Sequence, residues 1–552
     1  MYPHKVDMCP LIRLTMTDII KRLSFCLVAL IASLACYALP VEHYAQSSRL
    51  SQGRWVKITV SQTGMQFISN AQLKEWGFSD PTKVNVFGYG GQRIKEALTA
   101  SQPDDLPCQP VVRTDAGLCF YGVNTISWKS AASTIKWDRQ QNNYGTESCY
   151  FLSDIDIEPE EMPSIKGIID PQATEVSTFT EHLLHEKELA AGSNTGADLL
   201  GEDFRGNSTQ TFSFNLADKA SDQMTARVIF ATKTTGNGST LKIKANGKEI
   251  GSASIAASTS NDTHYIISTN TKTFTDAASR LDLELGYKSS GVITLARLDH
   301  IIISYERHLS LNSQQLCFDY DTNDTIAFAL KGCTAATQIW DVTDTHRPIK
   351  IEAQLQGNTA RFAPIKKGLR SYVAFNPGKM PNTPAFSANV ANQDLHSMPV
   401  PDMVIISPAE FVSQAQRIAA LHEEMDSMLV YIITPEEIYN EFSSGTQDLT
   451  AFRKMLKMWY DRSPQEGRSL GYCLLFGRPS YDNRGLTEKV RSAGYPRIPI
   501  WQSPESSTES SYSTDDYIVM LEDASTSTFN ISSQPLSIAV GRMPVRTVSE
   551  AS

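Results

Sequence analysis

The chain has 552 residues, of which 41% are hydrophobic and 20% charged, and its formal net charge is -10. That length allows roughly three or four domains with sizeable cores. The acidic balance, with no Lys/Arg-rich cluster to reverse it, excludes a nucleic-acid partner from the reading.

Lys21-Arg22 precedes an apolar run from Leu23 to Ile31, and small residues follow at Ala32, Ser33, Ala35 and Ala38. A basic start, an apolar middle and a small-residue site after Ala35 or Ala38 predict a signal peptide over residues 1–38. The run is short for a membrane-spanning helix. Cys9, Cys26 and Cys36 fall in or before it, which leaves Cys108, Cys119, Cys149, Cys317, Cys333 and Cys473. In an exported chain these six allow 15 pairings, with isolated buried thiols as the alternative; their spacing fits no zinc pattern.

Residues 41–165 read as a β-rich domain. Trp55 to Val60 alternates, Thr63-Gly64 turns into Met65 to Ile68, and a short helix spans Ala71 to Trp76. Lys83 to Phe87, Leu118 to Tyr121 and Tyr150 to Leu152 add strands. Gly88-Tyr89-Gly90-Gly91 is a glycine turn, since it lacks the G-x-G-x-x-G spacing of a dinucleotide loop. Residues 170–335 read as a β-sandwich that begins with a helical stretch from Glu181 to Ala191. Its strands alternate at Phe212, Phe214 and Leu216, at Met224, Ala226 and Val228, and at Leu281, Leu283 and Leu285. Leu298 to Ser304 is a central strand, and Asn246-Gly247 is a two-residue hairpin turn. Ile339 to Thr343 opens a small β unit that runs, with a proline-dotted linker from Pro377 to Pro401, over residues 336–395.

From residue 400 onward the pattern changes to α/β. Met403 to Ser407, Leu429 to Thr434 and Tyr472 to Phe476 are continuous apolar runs, as expected of strands buried on both faces. Ser407-Pro408-Ala409-Glu410 and Thr434-Pro435-Glu436-Glu437 both spell helix starts. The first helix places Phe411, Ala415, Ile418 and His422 on one face. Past the Gly445 turn, Asp448 starts another, with Leu449, Phe452, Leu456, Trp459 and Tyr460 along one side. Such alternation predicts a parallel sheet. Leu536 to Val540 is the last candidate strand. Thr547-Val-Ser-Glu550 then starts a helix two residues before Ser552, so residues 400–552 are expected to be the opening part of a longer domain.

Several stretches together carry a family resemblance. They are Asn194-Thr-Gly196, Gly201-Glu202-Asp203-Phe204, Leu298-Asp299, Ile339-Trp340-Asp341-Val342-Thr343-Asp344 and Asn392-Gln393-Asp394-Leu395-His396. To these add Ile438 to Gly445, Leu474-Leu475-Phe476-Gly477, Ser480-Tyr481-Asp482, Ser513-Thr-Asp515-Asp516-Tyr517 and Gly541-Arg542-Met543-Pro544. The chain resembles the gingipain-like cysteine peptidases, and among them the sortases of the type IX secretion system. The resemblance implies a multidomain fold: β-rich domains, including the sandwich, followed by the first part of an α/β caspase-like (gingipain-type) domain. It implies a thiolate that attacks a peptide carbonyl, removes the C-terminal secretion signal of cargo, and passes the cargo to surface lipopolysaccharide. The implied partners are cargo with C-terminal signal domains, lipopolysaccharide and other outer-membrane secretion components, at the outer membrane or cell surface. The alternatives are a secreted gingipain-like protease fragment and a non-catalytic surface binding protein.

No catalytic residue is carried over. The family's Gly-His-Gly motif is missing, and its His and Cys are expected beyond Ser552, so the chain as given is expected to be inactive. His422, on a helix face, and Cys473, inside a buried strand, read as packing residues. Gly477-Arg478 stands where the family reads Gly-Asp. No cofactor is required. A structural calcium is the candidate ion, with Asp482, Asp515 and Asp516 as candidate ligands, and Glu522 and Asp523 near them.

Overall fold

Three blocks of β-sheet precede one parallel sheet in the computed structural model. It describes residues 39–552 except 131–136, 158, 194–195, 206–208, 259–264, 379, 496 and 523–528. The signal-peptide reading, Asn194-Thr195 and Asp523 therefore lie outside the described residues.

The first block packs a five-stranded sheet on a three-stranded one. Val56, Ile58 and Val60 of the strand Trp55–Val60, beside Tyr150 and Leu152 of the neighbouring strand, pack against Leu118 and Phe120 of the other sheet. One strand of this block comes from far along the chain. Ala385–Val390 pairs antiparallel with Trp55–Val60, so the stretch read as a linker contains an edge strand of the first block. Its side chains are small or largely exposed and show no apolar–polar alternation, which hid it, because an edge strand needs no buried apolar face.

The second block is the expected sandwich. Thr178–Glu186, Val292–His308, Lys219–Thr235 and Ile266–Thr275 form one antiparallel sheet, and Thr209–Asn215, Arg280–Ser289, Ser239–Ala245 and Lys248–Ile255 form the other. Phe212, Phe214, Val228, Phe230, Leu283 and Ile303 fill the space between them. Asn246 and Gly247 take φ of 46° and 81°, as a two-residue hairpin turn requires. The helix expected from Glu181 to Ala191 is not formed. The helix-favouring Glu-His-Leu-Leu-His-Glu stretch is instead recruited by the long central strand, with Leu183 opposite Ile303 and Leu184 opposite Ile302. Pairing along nine positions outweighs local propensity, which spans only about 1 kcal/mol per residue.

The third block has its own core around Phe318, Phe328, Phe362 and Tyr372. Gln315–Thr322 and Ile326–Lys331, read with the sandwich, pair with strands of the following unit, Gly368–Phe375 and Thr359–Phe362.

The parallel sheet has the order Val430–Ile433, Met403–Ile406, Tyr472–Phe476, Ala539–Met543. Its last strand starts at Ala539, three residues later than the apolar run suggested, and runs through Gly541-Arg542. Thr434 caps the helix Pro435–Phe442 in a capping box with Glu437, as its sequence predicts. Ser407 does not cap. Its hydroxyl bonds the Pro408 carbonyl, and a short 3-10 turn at Ala409–Phe411 leads into the helix Val412–Asp426. Thr547 caps Val548–Ala551.

The helix Leu449–Glu466 is buried nearly all round, not on one side only. Its cations are spent on backbone carbonyls. Arg453 donates to Met520 and Glu96, Lys454 to Pro103 and Phe442, Lys457 to Leu521, and Arg462 to His396 and Ala45. The first β block thus closes over this helix and locks the parallel sheet against it. Among the described residues, no helix is long and apolar enough to cross a membrane.

Candidate functional site

In open parallel sheets the crevice beyond the carboxyl ends of the strands is where chemistry is placed. Here that edge is organised by Arg542, from the last strand. Its Nε and Nη2 bond the two oxygens of Asp515 at 2.8 and 2.6 Å. Nη1 donates to the carbonyls of Gly477 and Ile498, and Nη2 also to that of Pro499. All five guanidinium donors are used, which joins three loops leaving the sheet. Asp515, a candidate metal ligand, therefore has an arginine as its partner.

The other candidates do not converge with it. Asp482 is 1% exposed, its Oδ2 accepts the Thr487 N–H at 2.6 Å, and its Oδ1 has no hydrogen-bond partner. Asp516 begins the short 3-10 turn Asp516–Val519, and Glu522 accepts from Tyr460. Among the described residues, no group of three metal-type donors includes Asp482, Asp515 or Asp516. One such group forms elsewhere, from Glu186, Asp299 and His300 in the sandwich. Arg139 sits among them, paired with Glu186 and lying 3.4 Å from Asp299, so a guanidinium supplies the positive charge. Burial still pushes the Glu186 carboxyl up to about 8 against the pull of Arg139. No sequence motif announced this group, because its members come from different strands.

His422 and Cys473 are on opposite faces of the sheet. Cys473 and Leu475 point with Val404 and Ile406 into the core shared with the helices Pro435–Phe442 and Leu449–Glu466. Met403, Ile405 and Phe476 point the other way, against Phe411, Ala415 and Ala419 of the helix that carries His422. His422 is half-buried and bonds Asp426 one turn on, at 2.7 Å. Burial pushes the Cys473 thiol up to about 12, with Asp515 adding to the shift and Arg542 opposing it. A thiol so placed is not a nucleophile at neutral pH. Cys473 lies in the core and His422 on a half-buried helix face, the positions their sequence contexts predict. Arg478 is exposed, over the Tyr495 ring.

A second polar centre lies at the seam with the first β block and was not anticipated. Fully buried His396 bonds Glu441 at 2.6 Å and lies 3.1 Å from Asp104. Its ring stacks on Phe442. Burial disfavours the charged ring, but the bonds to Asp104 and Glu441 outweigh it and push its pKa up to about 10. Gln393 bonds the same Glu441, Asn392 bonds the carbonyls of Leu50 and Gly53, and Asp394 accepts from Ser47 and Ser48. The Asn-Gln-Asp-Leu-His stretch is thus the seam itself, each polar member tying one side to the other.

Residues 396–552 match peptidase family C25, so the parallel-sheet block is a gingipain-type peptidase domain. Over 92% of its length the chain is similar to the crystal structure of dimeric latent PorU from Porphyromonas gingivalis, with 28% identity and a TM-score of 0.83. It covers 49% of that chain, about half of its length. The β-rich blocks followed by a C25 domain share the PorU architecture. Two carbohydrate-binding modules are also similar over 22% of this chain. One is CBM36-1 of a xylanase from the hindgut metagenome of Trinervitermes trinervoides, at 15% identity, over 95% of its length and with a TM-score of 0.15. The other is the CBM6 of LamC from Zobellia galactanivorans, at 9% identity, over 99% of its length and with a TM-score of 0.15. At such scores neither bears on function. No curated protein matches the chain.

Proposed function

We propose that this chain forms the scaffold of a type IX secretion sortase, a cysteine peptidase that removes the C-terminal signal of exported cargo. The observation that carries the reading is the similarity to PorU across 92% of the chain, first β block to parallel sheet. In this reading the nucleophile and its base are supplied by residues other than His422 and Cys473. The separation of these two across the sheet supports that. The released cargo would be joined to lipopolysaccharide, and the protein would act at the outer membrane with other secretion components after removal of the leader at residues 1–38. A structural calcium belongs to the same proposal. Asp482, with a buried oxygen that lacks a partner, is the residue that best supports it.

Deletion of the gene in its host tests the reading. The expected result is secreted cargo that keeps its C-terminal signal, read by mass spectrometry. Cargo trimmed normally in the deletion strain would contradict it.

A further inference from the structure

A cavity of about 490 Å³ opens where the three β blocks meet, and no described residue of the peptidase domain lines it. Its floor is aromatic: Phe318 and Tyr372 stack at 5.0 Å within the core of the third block. One wall is Trp128, whose ring lies 4.0 Å from the imidazole of His182. Opposite in character is Asp319, whose carboxylate accepts a hydrogen bond from Ser371. Among the described residues no Lys or Arg lines the cavity. The nearest basic atom is His182 Nε2 at 3.8 Å, but burial drops that ring to about 3, so it is neutral. The other carboxylate, Glu181, is held by Arg307 at 2.7 Å. Burial raises the Asp319 carboxyl to about 6, the Ser371 bond opposes this and Glu181 adds to it. Among the described residues Asp319 has no Lys or Arg partner, and it shares the lining of the cavity with Trp128, Asn124, Thr343 and Ser371.

The Asp319 side chain is 19% exposed and takes one hydrogen bond from Ser371, which leaves acceptor capacity on the carboxylate open to a cationic ligand. An ammonium group satisfies the carboxylate by charge-assisted hydrogen bonds and is also attracted to an indole face. The volume falls in the range of small-molecule sites, roughly 300–1,000 Å³. We propose that this cavity binds a small hydroxylated organic ammonium compound, about the size of an amino sugar, with Asp319 as counter-ion and Trp128 as stacking wall. The proposal is independent of the peptidase reading.

Isothermal titration of the full chain with D-glucosamine, and with D-glucose as its uncharged counterpart, tests this at neutral pH. Glucosamine is expected to bind saturably and at least about tenfold more tightly than glucose. Asp319→Asn is expected to remove most of that difference, and Trp128→Ala to weaken glucosamine severalfold. Thermal unfolding checks that each variant is folded. If Asp319→Asn does not fold, the discrimination against glucose and the Trp128→Ala loss decide. Equal binding of the two sugars, no saturation by glucosamine at about 10 mM, or an unchanged affinity in folded Asp319→Asn or Trp128→Ala would overturn the proposal.

Discussion

Arg542 holds Asp515 by two parallel hydrogen bonds while its remaining donors take the carbonyls of Gly477, Ile498 and Pro499. The arginine side chain is 8% exposed and the aspartate 20%. Removing one partner of such a pair leaves a largely buried charge and several carbonyls without donors. Arg542→Ala is expected to cost about 3–5 kcal/mol, read as a lowered midpoint in urea unfolding. Arg542→Lys should recover little, because an ammonium cannot reproduce the planar fork.

His396 gives the protein a pH dependence at the seam. Its folded pKa, about 10, lies above the ordinary value of 6.5. The stabilisation is therefore complete below about pH 6.5 and is lost as pH rises through 10. Its size is on the order of a few kcal/mol. Thermal unfolding of wild type and His396→Gln should differ most near pH 6 and converge towards pH 10. A difference that grows with pH would contradict the buried imidazolium.

The peptidase domain depends on the first β block. Arg453, Lys454 and Arg462 donate to carbonyls of Glu96, Pro103 and Ala45, and Lys57 pairs with Glu436 at 2.7 Å. A fragment of residues 401–552 would expose Arg453, Lys454 and Arg462 and the apolar face around them, and would leave Glu436 without Lys57. It is expected to unfold in urea without a sharp transition, or with an m-value well below that for its size. A steep, full-size transition would show that the covering block is dispensable.

Much of this fold was legible in the sequence. The apolar runs at Met403, Leu429 and Tyr472 became adjacent parallel strands, and the Thr434 capping box and the Asn246-Gly247 turn formed as written. These are local signals, complete within a few residues. What was missed depends on distant partners. Glu181 to Glu186 follows the long strand that recruits it, and Ala385–Val390 pairs with a strand over 300 residues earlier. The seam of Asp104, His396 and Glu441 joins three separate stretches, and no spacing rule brings them together. The burial of Cys473 followed from its context alone, a thiol within an unbroken apolar strand.

Thiol chemistry should follow burial. All six described cysteines are free, and Cys473 is pushed up to about 12. In the native protein near pH 8, an alkylating reagent is expected to leave Cys473 unmodified and to modify it once urea is added. Rapid labelling of Cys473 in the folded state would contradict its assignment as a packing residue.

The most direct test of the scaffold reading is turnover of a peptide spanning a cargo signal junction by this chain alone. No cleavage above background is expected, with Cys473→Ala and His422→Ala indistinguishable from the parent. Cleavage that disappears in Cys473→Ala would contradict it, since a residue walled off from His422 by the sheet would then be the nucleophile.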